Sequence, residues 1–142
     1  MTQNYIIRKL NENDYIEYLD LINEFRPSKF TEDQFRNTLK IINLNSDIFV
    51  IELNTKLIAT ATIIFEHKFI HNISKYSQIE DVCVKAEFRK NGYGKILINY
   101  LIEVSKKNNC KKINLVCNND IIKFYESCNF DEKGVQMSYL HY

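Results

Sequence analysis

The sequence predicts an α/β fold, a mixed sheet with helices on its faces. Short runs with the alternation of β-strands recur along the chain, and segments with helical spacing lie between them. No internal repeat or low-complexity linker divides the chain. Its 142 residues suit one domain with a buried core, so residues 1–142 are expected to fold as a single domain.

The first third of the chain contains one predicted strand and two predicted helices. Residues 5–10 form a short alternating run, which predicts an opening strand. Apolar residues at helical spacing, from Tyr15 to Phe25, predict the first helix, which Pro27 ends. Thr31 and Gln34 have the spacing of a capping box and predict a second helix to about residue 42.

The middle of the chain is rich in strand-forming residues. Two such runs, Ile48–Leu53 and Leu57–Phe65, are separated by the turn residues Asn54 and Thr55, which predicts two adjacent strands. After a loop around Asn72, the run Gln78–Val84 predicts a third strand in this region.

The last third returns to helical spacing and then alternates again. An amphipathic helix is predicted by Leu97, Leu101 and Val104. The remaining elements are a strand, a helix and a final strand, over Lys112–Cys117, Asp120–Cys128 and Gly134–Tyr142. The predicted order is therefore β-α-α-β-β-β-α-β-α-β.

The composition argues against several classes of partner. The formal net charge is +1, so no global field attracts nucleic acid or a membrane. No apolar run approaches the roughly 20 residues that span a bilayer, and the polar N-terminus lacks a signal-peptide core, so a cytoplasmic location is expected. The four cysteines form no CxxC pair and show no zinc spacing, so no metal site is expected.

Two of the three glycines, Gly92 and Gly94, fall between a predicted strand and a long predicted helix. Such a joint directs several unpaired backbone N–H groups at one point, where the helix dipole also favours negative charge. Glycine lets a phosphate approach the backbone and tolerates positive φ, and Arg89 and Lys90 add positive charge. From these residues alone, a phosphate-binding loop and a tight turn that merely begins a helix are both possible.

A second unusual feature is the pair of adjacent carboxylates, Glu80 and Asp81, inside an apolar strand. Neighbouring side chains of a regular strand point to opposite faces, so one of the two would point inward or toward a ligand. The alternative is that both belong to a strand edge that faces solvent.

The string Arg89-Lys90-Asn91-Gly92-Tyr93-Gly94, after a strand that contains Ile-Glu-Asp-Val, resembles the acetyl-CoA pyrophosphate signature of the GNAT superfamily. Phe124 and Tyr125 match a second landmark of that family, an aromatic pair near the C-terminus. The resemblance implies the GNAT (acyl-CoA N-acyltransferase) fold, with a mixed, mostly antiparallel sheet, and acetyl-CoA as co-substrate. The implied acetyl-CoA site consists of Val82, Val84, Arg89, Lys90, Asn91, Gly92, Tyr93, Gly94 and Tyr125.

Three further strings extend the resemblance: Glu66-His67-Lys68-Phe69-Ile70-His71, Ile79-Glu80-Asp81-Val82 and Lys133-Gly134-Val135-Gln136-Met137. Together they resemble the glucosamine 6-phosphate N-acetyltransferases. The family pattern implies that Lys68, Phe69, Ile70 and His71 line the amino-sugar phosphate. It also implies that Glu80 and Asp81 meet the sugar hydroxyls and the amine.

The resemblance implies direct N-acetylation of glucosamine 6-phosphate to N-acetylglucosamine 6-phosphate, a step toward UDP-N-acetylglucosamine. Val82 would donate its backbone N–H to the thioester carbonyl, and the Tyr125 hydroxyl would face the departing thiolate, so the implied catalytic residues are Tyr125, Glu80, Asp81 and Val82. Glu80, Asp81 and His71 remain alternatives for accepting the proton of the amine. A homodimer is also implied, in which the last strand contributes to the partner's site.

The sequence departs from the family pattern on the acceptor side. Val116 stands where members usually have an acidic residue, and Tyr139 and Leu140 stand where an Arg is usual. Arg26 lies in a short insertion, and Arg26 or His141 could replace the missing cation. Two alternatives therefore stay open: a GNAT enzyme for another small amine, and a non-catalytic module that binds acetyl-CoA.

Overall fold

The computed structural model describes residues 4–141 and contains one five-stranded sheet in the order β1-β2-β3-β4-β5. The first four strands are antiparallel to their neighbours, whereas β5 is parallel to β4. This mixed, mostly antiparallel sheet with flanking helices confirms the predicted fold class. The elements, in chain order, are β1 Tyr5–Lys9, α1 Tyr15–Asn23, α2 Glu32–Ile42, β2 Ser46–Leu53, β3 Lys56–Lys68, the single irregular turn α3 Ile70–Ile73, β4 Ser74–Val84, α4 Tyr93–Lys107, β5 Lys112–Leu115 and α5 Ile122–Glu126.

Local sequence signals account for two of the boundaries. The Thr31 hydroxyl accepts a hydrogen bond from the Gln34 N–H at 3.1 Å, and the Gln34 side chain accepts one from the Thr31 N–H at 2.9 Å. This predicted capping box begins α2. Between β2 and β3, Asn54 and Thr55 have φ values of 49° and 66°. Such left-handed residues give a two-residue turn the twist that an antiparallel hairpin needs.

Each face of the sheet is covered by a different helical layer. On one face, Leu97, Ile98 and Leu101 of α4 are fully buried against strand residues such as Ile63 and Ile79. On the other face, Leu21 of α1 and Phe35 and Leu39 of α2 pack with Ile48, Val50 and Cys83. These apolar side chains are buried on both faces and are not available to a ligand. A site must therefore be formed by strand residues that the helices leave uncovered.

The hairpin between β3 and β4 is longer than predicted. The strands run from Lys56 to Lys68 and from Ser74 to Val84, and the pairing continues to the register Lys68 with Ser74. The outer half of the hairpin carries polar residues on both faces, which removes the alternation that indicates a strand. The turn at its tip is made by His71, Asn72 and Ile73, all with φ between 55° and 62°.

The predicted final strand over residues 134–142 is wrong for the part that the structure describes. Residues 131–141 form no helix or strand, and Tyr142 lies outside the described residues. A strand is stable only when its backbone groups pair with a neighbour, and no neighbour within residues 4–141 pairs with this segment. The elements before it are also shorter than predicted: β5 ends at Leu115, and α5 covers only Ile122–Glu126 after a 3₁₀ turn at Asn119–Ile121.

Candidate active site

A bulge in β4 lies at the centre of the candidate site. Thr62 pairs with Glu80 and Thr60 pairs with Cys83, so Asp81 and Val82 together oppose the single residue Ala61. Asp81 has a φ of 53°, the left-handed conformation that the first residue of a G1 bulge adopts. The bulge also changes which residues of β4 face α4. Before the bulge, the odd-numbered Ile79 packs in the cluster on the α4 face, and after it the even-numbered Val82 and Val84 do. The assumption of a regular strand, with one carboxylate on each face, therefore does not hold here.

The two carboxylates differ in their surroundings. Glu80 is partly buried and accepts a hydrogen bond from the Gln78 amide at 2.8 Å. Asp81 is exposed, yet its charge acts on Tyr18 of α1. Burial, and secondly this carboxylate, raises the pKa of the Tyr18 hydroxyl to about 12. Asp81 thus lies on the side of the sheet that α1 covers.

A gap between β4 and β5 opens beside the bulge. The two strands pair only from Tyr76 with Lys112 to Ile79 with Leu115. Beyond Ile79, β4 continues for five residues, Glu80–Val84, without a partner strand on that side within residues 4–141. An unpaired stretch of strand presents free backbone N–H and C=O groups. An extended ligand that offers amide groups of its own can pair with this edge.

The glycine loop lies at the end of this unpaired edge. The Arg89 side chain donates from Nε to the Val84 carbonyl at 2.9 Å, and the Asn91 amide donates to the carbonyls of Phe88 and Arg89. Lys90 and Gly92 have φ values of 64° and 85°. No side chain in the described part of the chain caps α4 at Gly92, so the N–H groups of the first turn of α4 keep their capacity to bind an anion.

The two glycines of the loop have different structural roles. A Cβ atom on Gly92 would meet no atom of residues 4–141 within 4 Å, so these residues leave the space in front of the helix open. A Cβ atom on Gly94 would lie 3.3 Å from the Phe124 ring and 3.7 Å from Val84. Gly94 therefore allows α4 to pack closely against α5 and β4, which brings Tyr125 to the same end of the sheet as the loop.

Tyr125 is only 7% exposed and belongs to the core cluster on the α4 face. Burial raises the pKa of its hydroxyl to about 12, and the neighbouring Cys117 and Cys128 contribute in the same direction. At ordinary pH the hydroxyl is therefore fully protonated and available as a donor. Tyr125 also lines one part of a groove of about 870 Å³ that runs along β5 and past residues 131–136.

The predicted phosphate-binding string occupies the tip of the long hairpin. Lys68 forms an ion pair with Glu66, and its Nζ lies 5.1 Å from the centroid of the Tyr76 ring. Lys112 Nζ lies at the same distance from that ring, and the His71 ring stacks on it at 6.2 Å. Phe69 and Ile70 project into solvent, with 91% and 58% of their surfaces exposed. The tip is thus both cationic and apolar.

The structure separates this tip from the carboxylates of the same chain. Lys68 pairs with Ser74, six residues before Glu80 on β4, which corresponds to about 20 Å along a strand. The donor-side residues Val82, Val84, Arg89–Gly94 and Tyr125 lie at one end of the sheet, together with Glu80 and Asp81. Residues 68–71 lie at the other end.

Sequence reasoning missed three residues that contribute to these surroundings. Tyr18 lies on a predicted helix, and no sequence signal indicates that it is near Asp81. Tyr76 lies within the predicted loop, and Lys112 lies at the beginning of a predicted strand. The positions of Tyr76 and Lys112 depend on the hairpin length and the strand register, and the position of Tyr18 depends on how α1 packs against β4.

Within the described residues, 4–141, no cluster of three or more His, Cys, Asp or Glu side chains is arranged to hold a metal ion. In the same range, no helix has the length and apolarity to cross a membrane.

Known proteins share this fold and much of this sequence. Residues 12–130 match the family described as the acetyltransferase (GNAT) family. The chain is 35% identical to glucosamine 6-phosphate N-acetyltransferase 1 of Dictyostelium discoideum over 92% of its own length and 87% of that relative. The crystal structure of glucosamine-6-phosphate N-acetyltransferase from Arabidopsis thaliana matches with a TM-score of 0.92 at 31% identity, covering 98% of this chain and 99% of the other. An acetyltransferase structure from Trypanosoma brucei also has a TM-score of 0.92, at 24% identity, which shows the shared fold.

Proposed function

The chain belongs to the acetyltransferase (GNAT) family and, within it, to the glucosamine 6-phosphate N-acetyltransferases, and we propose that it acetylates the amine of glucosamine 6-phosphate with acetyl-CoA. The observation that carries the proposal is the convergence of three features at one end of the sheet. These are the anion-binding loop at Gly92, the carboxylates beside the β4 bulge, and the buried hydroxyl of Tyr125. The product, N-acetylglucosamine 6-phosphate, is a precursor of UDP-N-acetylglucosamine.

The loop and the open edge of β4 suit the donor. The free N–H groups at the beginning of α4, with Arg89, Lys90 and Asn91 around them, would hold the pyrophosphate of acetyl-CoA. Tyr93 belongs to the same first turn. The unpaired edge near Val82 and Val84 offers backbone groups to the pantetheine amides. When bound there, acetyl-CoA supplies an acetyl group activated as a thioester.

Three groups of the chain would then act on the transfer. The bulge interrupts the ladder at Val82, and its N–H would stabilise negative charge on the carbonyl oxygen. The Tyr125 hydroxyl would donate a proton to the leaving sulfur, because its pKa of about 12 keeps it protonated. Glu80, Asp81 or the partner's copy of the hairpin residue His71 would accept the proton that the amine loses. Holding the amine against the thioester carbon removes the entropic cost of bringing them together.

The acceptor site requires a second copy of the chain. One sugar ring and one methylene separate the amine and the phosphate of glucosamine 6-phosphate, a length much shorter than the roughly 20 Å between Glu80 and Lys68 in one chain. Residues 68–71 therefore serve the site of a partner subunit, while Glu80 and Asp81 serve their own. This arrangement is a homodimer with shared active sites.

The C-terminal segment supports the same assembly. Val135 and Met137 are each 90% exposed, and Tyr139 is 83% exposed, which is unusual for a run of large apolar side chains. The groove along β5 beside them offers a strand edge that no strand within residues 4–141 pairs with. If this segment of one chain paired with the β5 edge of the other, the exposed apolar side chains and the strand edge would both be covered. Strand exchange between identical chains has this effect.

We expect a dimer at micromolar concentration in multi-angle light scattering. Truncation after Lys133 removes the exposed apolar run and should shift the mass to that of a monomer. A wild-type chain that is monomeric under these conditions would contradict the shared-site arrangement.

Lys68→Ala tests the assignment of the phosphate. A charge-assisted hydrogen bond contributes on the order of 1.5–3 kcal/mol, so KM for glucosamine 6-phosphate should rise roughly 10- to 100-fold. KM for acetyl-CoA should stay near its wild-type value, and activity on unphosphorylated glucosamine should fall much less. Lys107→Ala, at the exposed end of α4, is a control for the loss of one lysine. Equal losses on both sugars would give Lys68 a structural role instead.

A second candidate function rests on the acceptor side of the sequence. Val116 and Leu140 occupy positions that are usually polar in the family, which favours a related small primary amine as the alternative substrate. Product analysis separates the two: incubation with acetyl-CoA and glucosamine 6-phosphate should yield the N-acetylated sugar phosphate in the NMR spectrum. Acetylation of another amine without that product would favour the alternative, and binding of acetyl-CoA without any transfer would indicate a non-catalytic module.

The proposed reaction takes place in the cytoplasm. All four cysteines are unpaired thiols, which suits a reducing compartment. The near-neutral net charge gives no electrostatic reason for binding nucleic acid or a membrane surface.

A further inference from the structure

We propose that Asp20 and Glu24 of α1 are positioning residues for the acetyl-CoA loop. Their carboxylates hold the first two residues after β4, from which the chain leads directly into Arg89 and Gly92. The inference rests on the proposed donor site, although neither residue belongs to the implied acetyl-CoA site.

The first contact is an ion pair with a buried lysine. Lys85 is 5% exposed, and its Nζ donates a hydrogen bond to Asp20 at 2.5 Å. That hydrogen bond is the main cause that raises the pKa of Lys85, against the opposing effect of burial. The Lys85 stem is covered, but the Asp20 side chain is 65% exposed, so the pair holds the ammonium at the edge of the protein. If Asp20 were removed, the Lys85 ammonium would be free to turn toward solvent.

The second contact holds the next residue through its backbone. The N–H of Ala86 donates to the Glu24 carboxylate at 3.0 Å. Ala86 is the first residue of a 3₁₀ turn, Ala86–Phe88, and an N–H at that position has no partner within the turn. Asp20 and Glu24 are four residues apart, so they lie on the same side of α1.

A short series of hydrogen bonds connects Lys85 and Ala86 to Arg89 in the loop. The Phe88 N–H donates to the Lys85 carbonyl at 2.9 Å, and the Arg89 N–H donates to the Ala86 carbonyl. The Arg89 side chain then returns to the Val84 carbonyl. The Lys85 N–H also donates to the Ile58 carbonyl of β3 at 2.8 Å, so α1 and β3 together fix the beginning of the turn that positions Arg89 relative to Val84.

α1 also carries Tyr18, whose hydroxyl is influenced by the charge of Asp81. The helix that holds Lys85 and Ala86 therefore also lies on the side of the sheet where Asp81 stands. A shift of α1 at Asp20 and Glu24 would move the donor loop relative to the β4 bulge.

The experiment measures acetyl-CoA affinity by calorimetry, together with KM for each substrate. Asp20→Ala and Glu24→Ala should each weaken acetyl-CoA binding roughly 10-fold, the lower end for loss of a charge-assisted hydrogen bond. Both variants should leave KM for the amine near its wild-type value. Asp20→Asn keeps an acceptor for Lys85 and should recover most of the affinity. Glu17→Ala is the matched control, because Glu17 lies on the same helix and in the field of Lys85 without a hydrogen bond to it.

Two results would overturn the inference. One is unchanged acetyl-CoA affinity in both alanine variants at a wild-type melting temperature. The other is an equal loss of acetyl-CoA affinity in Glu17→Ala. That result would mean that the overall charge of α1 causes the effect and not the two contacts. Calorimetry needs no acceptor, so an error in the amino-sugar assignment leaves this test intact, whereas a wild-type chain that does not bind acetyl-CoA would refute both proposals.

Discussion

We expect replacement of Tyr125 with phenylalanine to lower kcat roughly 10- to 10⁴-fold, the range for loss of a group that transfers a proton in the transition state. The variant removes one oxygen and retains the ring, which packs edge-on against Phe124 and Phe130. KM values for both substrates should therefore change little. Stopped-time thiol-release kinetics with saturating acetyl-CoA and amine give kcat directly.

The pH dependence sharpens this prediction. A hydroxyl with a pKa of about 12 stays almost fully protonated up to about pH 10, so Tyr125 should contribute no decline in wild-type kcat between about pH 7 and pH 10. Tyr100→Phe is the control, since Tyr100 lies on α4, where its ring packs against Phe49. An unaltered kcat in Tyr125→Phe across this pH range would reduce Tyr125 to a packing residue.

Gly92→Val should weaken acetyl-CoA binding by roughly 10-fold or more. Gly92 has a φ of 85°, and left-handed backbone costs a residue with a Cβ about 1–2 kcal/mol. The valine side chain would also fill the open space in front of α4 that the pyrophosphate would occupy. Gly94→Val should act differently, by pressing on the Phe124 ring and displacing α5 with Tyr125.

Calorimetry with acetyl-CoA tests both glycine variants. Asn109→Val is a control for the strain of positive φ, because Asn109 has a φ of 60° and is exposed beyond the other end of α4. Wild-type affinity in both Gly92→Val and Gly94→Val would refute the assignment of the loop. A loss of acetyl-CoA affinity in Gly94→Val together with a lower kcat would support the structural connection between the loop and Tyr125.

The features that the sequence predicted correctly depend on neighbours along the chain. The capping box of Thr31 and Gln34, the turn at Asn54 and Thr55 and the fold class all follow from short-range patterns. The conformation of the glycine loop follows from the residues within it. The bulge at Asp81 has no such signal, because the residue in the left-handed region is an aspartate rather than a glycine.

The features that the sequence could not predict depend on residues far apart in the chain or on a second copy of the chain. The length of the β3–β4 hairpin places Lys68 and Glu80 at opposite ends of a sheet, although the family resemblance assigns both to one substrate. The pair formed by Asp20 and Lys85 joins residues 65 positions apart. The segment 134–141 has the alternation of a strand, but pairing decides whether a strand forms, and its proposed partner belongs to another chain.

The ratio of kcat/KM for glucosamine 6-phosphate to that for glucosamine tests the central claim most directly. Both sugars would offer the same amine to the proposed site at Glu80 and Asp81, and they differ only in the phosphate. A site that binds the phosphate through charge-assisted contacts should favour the phosphorylated sugar roughly 10- to 100-fold in a thiol-release assay, and should also favour it over other small primary amines. Equal kcat/KM values for the two sugars, or a higher value for an unrelated amine, would contradict the assignment of glucosamine 6-phosphate as the acceptor.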